Sequence, residues 1–242
     1  MGFLIFRGVG TEGSLDTVGS GNVLTNVYVS AMPSHKKASM RFTEYYVKGR
    51  DGALHVDEGY SSFELPVTLV LIRASNTARQ LVNAWADGTG KLITSDDLTK
   101  AYKASVKEEV AWTRVRANGG FYDSAVVTFT CDPCMYEAVD TVQEFTQSGS
   151  IINPGSADAF PLIAVEGEGT VTVTIAGNEL TFEDVVANVP VYVDCETGYV
   201  YTASGATEMR GEVPYFPVGE TSVITLGTNA TKVTVTPHWR WI

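Results

Sequence analysis

Two cysteines carry the spacing that comes closest to site chemistry. Cys131 and Cys134 form a C-x-x-C pair, and Cys195 stands alone. A structural zinc site needs four ligands, and none of the three histidines shows ligand spacing to this pair. A redox C-x-x-C usually follows a strand and opens a helix, whereas the sequence here predicts a strand followed by a loop. We therefore expect buried or inert thiols and no metal site.

Glycines and carboxylates offer two further motifs. Gly8–Gly13 has the spacing of a dinucleotide-binding G-x-G-x-x-G, but no helical period follows it, so the context that this chemistry needs is missing. Paired carboxylates occur at 57–58, 96–97 and 183–184. They favour capping and solvation, and Asp96 with Asp97 fits a helix N-terminus. No serine elbow, phosphate loop or zinc-protease motif is present. We predict no catalytic residue and no cofactor.

The end of the sequence is aromatic. His238 is followed by Trp239, Arg240 and Trp241. The tryptophans could stack on a sugar, or they could fill a core or a subunit contact, and large aromatics near a chain end favour the second reading. We predict a subunit contact from Trp239 and Trp241, together with Arg50 and Asp51.

Composition sets wider limits. The 242 residues include 17 Lys and Arg against 28 Asp and Glu, a net charge of −11. Such a chain should repel nucleic acid and anionic membranes, which bind clustered Lys and Arg. No apolar run reaches the roughly 18 residues of a membrane span. The first seven residues lack the features of a secretory signal, so we expect synthesis in a cytoplasm and no membrane insertion.

Strand patterns dominate the first half, with one helix among them. Residues 41–47 and 63–73 predict strands, and 48–52 predicts a tight turn. Ser75 or Asn76 can cap a helix whose apolar face recurs at i, i+3, i+4 and i+7, ending before Gly88. Residues 104–116 and 121–130 predict a hairpin that bends at Asn118-Gly119.

Short strands and turns fill the second half. Residues 137–150 are polar and predict a linker. From residue 151 onward, β-rich segments follow at regular spacing, as in a β-sandwich. The sequence thus predicts a mainly β fold with an α+β N-terminal domain over 1–140, containing one principal helix, and a β-sandwich domain over 148–242.

An ordered set of motifs resembles the distal tail proteins of long-tailed bacteriophages of the siphophage type. The set spans most of the chain in the family's order. Its pieces are Tyr46–Gly52, Gly90–Asp97, Tyr102–Ala104, Phe129–Tyr136, Asn153–Gly155, Pro161–Ile163, Val193-Asp194, Met209–Glu212 and Pro214–Gly219. The first ~40 residues match less clearly. Cys134 stands where the family has an aromatic.

The resemblance implies a structural virion protein at the tail tip, made in the host cytoplasm. It implies a galectin-like C-terminal sandwich and a ring of six copies, with one face on the tail tube protein and the other on a baseplate or receptor-binding protein. DNA would pass through the ring only as cargo. An acidic lumen would let DNA slide, because it repels phosphate.

Two alternatives stay open at this point. The chain could be a carbohydrate-binding adhesion module on the tail, or a hydrolase with a carboxylate pair in a cleft. A galectin-like fold does not by itself carry sugar binding. The charged partners of a galectin site are missing around Asn153-Pro154-Gly155.

Overall fold

The computed structural model describes residues 2–12, 22–34, 36–117 and 120–242. The chain forms two compact units, which we call unit 1 (residues up to Ala138, with Ile242) and unit 2 (Val139–Trp241). Both are built from strands. Within the described residues no helix is long and apolar enough to cross a membrane.

Unit 1 holds eleven strands and one helix in its described parts. They are β1 (Leu4–Phe6), β2 (Val9–Thr11), β3 (Asn22–Leu24), β4 (Val27–Val29), β5 (Met40–Tyr45), β6 (Leu54–Tyr60), β7 (Phe63–Ile72), α1 (Asn76–Trp85), β8 (Gly88–Thr94), β9 (Asp97–Val106), β10 (Thr113–Ala117) and β11 (Gly120–Glu137). The main sheet has the order β3-β2-β1-β8-β9-β11-β7-β4, and β10 pairs with β11. Its strands are antiparallel except for β2 and β3.

The core of unit 1 lies where alternating strand residues meet the helix. Leu65, Val67, Leu69 and Leu71 of β7 are buried every second residue, the period of a strand with one covered face. The α1 residue Trp85 lies edge-on to the rings of Phe6 and Phe129 in this core. This aromatic contact fixes the helix on one face of the sheet.

The predicted helix is confirmed, including its cap. The Ser75 side chain accepts a hydrogen bond from the Ala78 backbone N–H at 3.1 Å, which satisfies one of the free amides of the first turn. Val82 and Trp85 are buried as the period predicts, but Leu81 on the same stripe is exposed. The apolar stripe is therefore wider than the surface that the sheet covers.

The predicted hairpin between β10 and β11 is also confirmed, although its first strand covers only Thr113–Ala117. The bend at Asn118-Gly119 lies outside the described residues, as does Gly13 of the glycine motif. Strand β11 continues through the C-x-x-C pair, where a loop was predicted. A register shift between Cys131 and Met135 takes up the extra residues, since Pro133 has no N–H to donate to a ladder.

Asp96 and Asp97 do not start a helix. They lie at the turn between β8 and β9, where the Asp97 carboxylate accepts a hydrogen bond from the Thr99 backbone N–H at 2.9 Å. The negative charge satisfies a turn amide here, as it would at a helix N-terminus. A helix N-terminus, which the two residues also fit, is not formed, because turns and helix starts favour the same residues.

Unit 2 is a β-sandwich of short strands. They are β12 (Gln143–Phe145), β13 (Gly149–Ile152), β14 (Leu162–Gly167), β15 (Gly169–Ile175), β16 (Asn178–Val185), β17 (Val191–Asp194), β18 (Tyr199–Thr202), β19 (Gly205–Ala206), β20 (Thr221–Leu226) and β21 (Ala230–Thr236). Unit 2 also contains the short strand β22 (Arg240–Trp241), which belongs to neither sheet of the sandwich. One sheet has the order β12-β21-β14-β17-β18-β19, and the other has β13-β20-β15-β16. Their inner faces share one core.

The polar stretch 137–150 is not a plain linker. Its residues 143–145 form β12, which pairs with β21, and Phe145 packs against the sandwich core. One large aromatic among polar residues is enough to bury one face of a short edge strand.

Candidate assembly surface

The hairpin of β5 and β6 stands apart from the main sheet. It forms a two-stranded sheet of its own, and we call residues 40–60 the arm. None of the arm's side chains belongs to a described core cluster. An isolated hairpin of this kind is marginally stable in water at best. The arm therefore needs a surface to pack against.

One face of the arm is apolar. Tyr45 pairs with Leu54 and Thr43 pairs with Val56, and cross-strand partners project from the same side. Tyr45 is 55% exposed, Leu54 40% and Val56 51%. This set, which we call the arm's apolar face, lies open to solvent in the single chain. Contiguous exposed apolar side chains of this kind mark contact sites between proteins.

The opposite face of the arm is mostly polar. Glu44 pairs with His55, and the Glu44 carboxylate also accepts a hydrogen bond from the Tyr46 hydroxyl at 2.7 Å. The Phe42 ring lies edge-on to His55 with ring centroids 5.0 Å apart. The two faces thus differ in character, which favours packing through the apolar one.

Arg50 and Asp51 lie at the tip of the arm, and both are exposed. Gly49 and Gly52 flank them with φ of 85° and 75°, so the turn needs residues without a Cβ at these two positions. The subunit contact expected of Arg50 and Asp51 remains a prediction. Their place at the end of a projecting element suits it.

Trp239 and Trp241 belong to unit 2. Trp239 is 3% exposed and packs against Phe216 inside the core of unit 2, with ring centroids 5.8 Å apart. It fills the core, which was the other structural role considered for it. Trp241 is half-buried against the same core. The subunit contact expected of Trp239 and Trp241 remains a prediction.

Sequence reasoning missed a buried charge, Asp123, that joins α1 to the β10–β11 hairpin. This carboxylate is 1% exposed and accepts a hydrogen bond from Nε of Arg79 at 2.7 Å and another from Nε of Arg114 at 3.0 Å. Burial raises the pKa of Asp123, but the hydrogen bonds and charges of Arg114 and Arg79 outweigh it, so the net pKa is lowered. Asp123 stays ionised and ties the helix to the hairpin.

Asn153 is a structural residue. Its amide donates to the backbone oxygens of Ala157 at 3.1 Å and Phe216 at 2.9 Å, and its side-chain oxygen accepts from the Gly155 N–H at 2.8 Å. Asn153 is buried, so its polar atoms are committed to the fold. A Cβ on Gly155 would lie 2.3 Å from the Arg240 backbone oxygen, which explains the glycine. This motif offers no polar group to a sugar.

We expect Asn153→Ala to lower the free energy of unfolding of unit 2 by about 3 kcal/mol, because it leaves buried backbone groups without partners. Chemical denaturation followed by tryptophan fluorescence measures this. Gln147→Ala, which removes an exposed amide, is the control and should change it by less than about 0.5 kcal/mol. Equal stability of the two variants would contradict the role given to Asn153.

The three cysteines are free and buried, as predicted. Burial raises the pKa of Cys131 and of Cys195 to about 12, with a smaller contribution from a neighbouring aspartate in each case. Such thiols stay protonated and unreactive at neutral pH. Among the described residues no group of three or more His, Cys, Asp and Glu side chains is placed to hold a metal ion.

The net charge is unevenly divided between the units. Residues 139–241 contain 13 Asp and Glu against 3 Lys and Arg, whereas residues 1–138 contain 15 against 14. Nearly all of the −11 therefore belongs to unit 2. The two units should differ in the charge of the partners they attract.

Comparison with known proteins gives a likeness in fold. No family model matches the sequence, and no curated protein matches it either. The crystal structure of the Dit protein of phage SPP1, described as a paradigm of the hub adsorption apparatus in phages that infect Gram-positive bacteria, matches with a TM-score of 0.71 at 14% identity. The match covers 100% of both chains. A chain of the phage P2 baseplate in its activated, calcium-bound conformation matches with a TM-score of 0.51 at 12% identity, covering 98% of this chain and 99% of that one. Over its full length the chain therefore has the fold of a siphophage distal tail protein.

Proposed function

We propose that this chain is a structural hub protein of a phage tail. Copies of it would form a ring, expected to be a homohexamer, that joins the tail tube to the host-adhesion device at the tip of the virion. The observation that carries this proposal is the match in fold to the SPP1 hub protein along the whole of both chains. A partial match would have indicated only a shared module.

The arm supports self-assembly. A projecting two-stranded hairpin with one exposed apolar face gains stability only when a second surface covers it. A neighbouring copy supplies such a surface at the same stoichiometry in every subunit. In a closed ring each arm is then buried once, and no apolar face remains open.

A passive role in DNA passage suits the charge of unit 1. Its 14 basic and 15 acidic residues nearly cancel, so a ring built from it carries no excess of Lys and Arg to retain phosphates. The net negative charge of the chain lies mainly in unit 2, which has 13 acidic residues but only 3 basic ones. This changes the expectation of a strongly acidic lumen. A channel of low net charge would still let DNA slide.

No feature of the described residues supports catalysis. The Cys131 and Cys195 thiols are protonated, and the buried Asp123 carboxylate is held by two arginines in an ion-pair cluster. Neither SPP1 Dit nor the P2 baseplate is described as an enzyme. A non-catalytic role in assembly is the consistent proposal.

Native mass spectrometry of the purified chain tests the proposal. We expect a species of six times the 26.1 kDa chain mass at micromolar concentration. Negative-stain images of the same sample should show rings with an open centre. A chain that stays monomeric at concentrations of roughly 100 μM, well above a dissociation constant of about 1 μM typical of a weak specific contact, would contradict a self-assembling hub.

A further inference from the structure

Three tyrosines form a stack on the outer face of the β12–β19 sheet in unit 2. Tyr192 of β17 and Tyr201 of β18 are register partners whose rings lie 5.2 Å apart with an angle of 17° between their planes. Tyr199 continues the stack on Tyr201 at 5.5 Å and 20°. We call these three residues the tyrosine stack. Tyr201 is its middle layer and Tyr199 its exposed end.

The tyrosine stack does not serve the core. The inward residues of the same strands, Val191, Val193 and Val200, belong to the core cluster, and none of the three tyrosines does. Tyr199 is 53% exposed. Aligned aromatic rings held on a rigid sheet and turned to solvent are typical of contact sites in protein interfaces, where Tyr is enriched.

The charge around the tyrosine stack is negative. Asp194 is the register partner of Tyr199. Burial raises the pKa of Asp194, but hydrogen bonds from the Thr197 side chain and from two backbone N–H groups, together with the electrostatic interaction with His238, outweigh it, so the net pKa is lowered. The carboxylate is therefore ionised next to the open end of the stack.

No free cation offsets this charge on the strands of the sheet. Lys232 is the one Lys or Arg in these strands, all of which are described, and its ammonium group lies 3.2 Å from carboxylate oxygens of both Glu144 and Glu166. The surface that holds the tyrosine stack thus combines an open aromatic ring, Tyr199, with an ionised carboxylate, Asp194.

We propose that the tyrosine stack is a docking site for a protein segment that presents an arginine side chain. The guanidinium group is planar and stacks on aromatic faces, so it can add a fourth layer on Tyr199. Its N–H groups then lie on the side of the Asp194 carboxylate. This inference deepens the proposed function, since the segment would belong to a neighbouring protein of the tail, and it rests on that function.

A sugar fits this surface less well. A pyranose ring and a guanidinium group can both stack on the exposed Tyr199 ring, so charge has to separate the two ligands. A neutral sugar gains nothing from the charge of −10 that residues 139–241 carry, whereas a cation does.

Three fluorescein-labelled Gly-Ser peptides that differ only in their side chains test the inference. One carries four arginines, one four lysines and one four citrullines, and binding to the full-length chain is measured by fluorescence anisotropy. We expect the arginine peptide to bind most tightly, the lysine peptide less tightly and the citrulline peptide not detectably. Tyr199→Ala should weaken binding of the arginine peptide by about tenfold, because it removes the stacking face.

Tyr215→Ala is the matched control, because Tyr215 is an exposed tyrosine of unit 2 outside the stack. It should change the dissociation constant by less than about twofold. Equal effects of the two variants, equal binding of arginine and citrulline peptides, or no binding of the arginine peptide would overturn the inference. Binding to a glycan array that Tyr199→Ala abolishes would also overturn it, in favour of a sugar.

Ring assembly is measured on the same Tyr199→Ala sample by native mass spectrometry. A normal ring with unchanged peptide binding defeats the inference and leaves the proposed hub intact. A wild-type chain that binds the arginine peptide but forms no ring supports the docking site and contradicts the proposed hub.

Discussion

The double variant Leu54→Asp/Val56→Asp is expected to fold normally and to remain monomeric. Both side chains belong to the arm's apolar face, and neither contributes to a described core cluster. The substitutions therefore leave the packing of unit 1 unchanged. They place two carboxylates in the surface that we expect a neighbouring copy to cover.

The expected effect on assembly is large. Burying a Leu or Val side chain contributes about 1.5–3 kcal/mol, and the double variant loses this at two positions in each contact. Each carboxylate would also have to be desolvated without a partner. We expect the association constant of each contact to fall by at least about 100-fold, which native mass spectrometry and analytical ultracentrifugation will show as loss of the ring.

Val186→Asp is the matched control for the arm. Val186 is an exposed valine of unit 2, so the change introduces the same chemistry at a residue that is not part of the arm. We expect this variant to keep the ring. The melting temperatures of all three proteins should agree when the wild type is measured below its assembly concentration. A ring formed by the arm variant at wild-type concentrations would show that the arm does not carry the contact.

Local patterns in the sequence predicted the elements whose causes are local. Ser75 caps α1 because its hydroxyl reaches an amide three residues on, and this depends only on neighbouring residues. Gly49 and Gly52 mark the turn of the arm for the same reason, since positive φ is a property of single positions. The C-x-x-C thiols are buried, as predicted.

The arm shows what the sequence could not reveal. Residues 41–47 and the following turn were predicted, but the isolation of the hairpin depends on which strands pair over long distances. The apolar residue types that are exposed on β6 are also typical of a buried strand, so residue type alone does not indicate exposure. Only the fold shows that the arm's apolar face is left uncovered.

Asp123 was missed for a related reason. It occupies a position of β11 whose neighbours Ala125 and Val127 on the same face are buried, so alternation predicts an apolar residue there. A charge is tolerated at that position because Arg79 and Arg114 converge on it from two other elements. A single carboxylate in an apolar pattern was the available signal, and its partners are 44 and 9 residues away.

Asp123→Asn is therefore expected to destabilise unit 1 by about 3 kcal/mol, because it keeps the shape of the side chain and leaves two arginines without their counter-charge. Asp87→Asn, at an exposed carboxylate, is the control and should stay within about 0.5 kcal/mol of the wild type. Each change is made in the monomeric Leu54→Asp/Val56→Asp variant, and urea denaturation measures its effect on the free energy of unfolding. Ring assembly then does not contribute to the measured stability.

The pH dependence of that difference distinguishes an ion-pair cluster from simple packing. The folded-state pKa of Asp123 lies below its ordinary value of 3.8, so its charge stabilises the fold fully above that value. The stabilisation is lost as the pH falls through the lowered folded-state pKa, because the folded protein must then take up the proton that the unfolded chain already holds. The gap between wild type and Asp123→Asn should stay constant from pH 7 to about pH 5 and shrink below about pH 4. A gap that persists unchanged into strong acid would mean that Asp123 acts through its shape and hydrogen bonds, with no contribution from its charge.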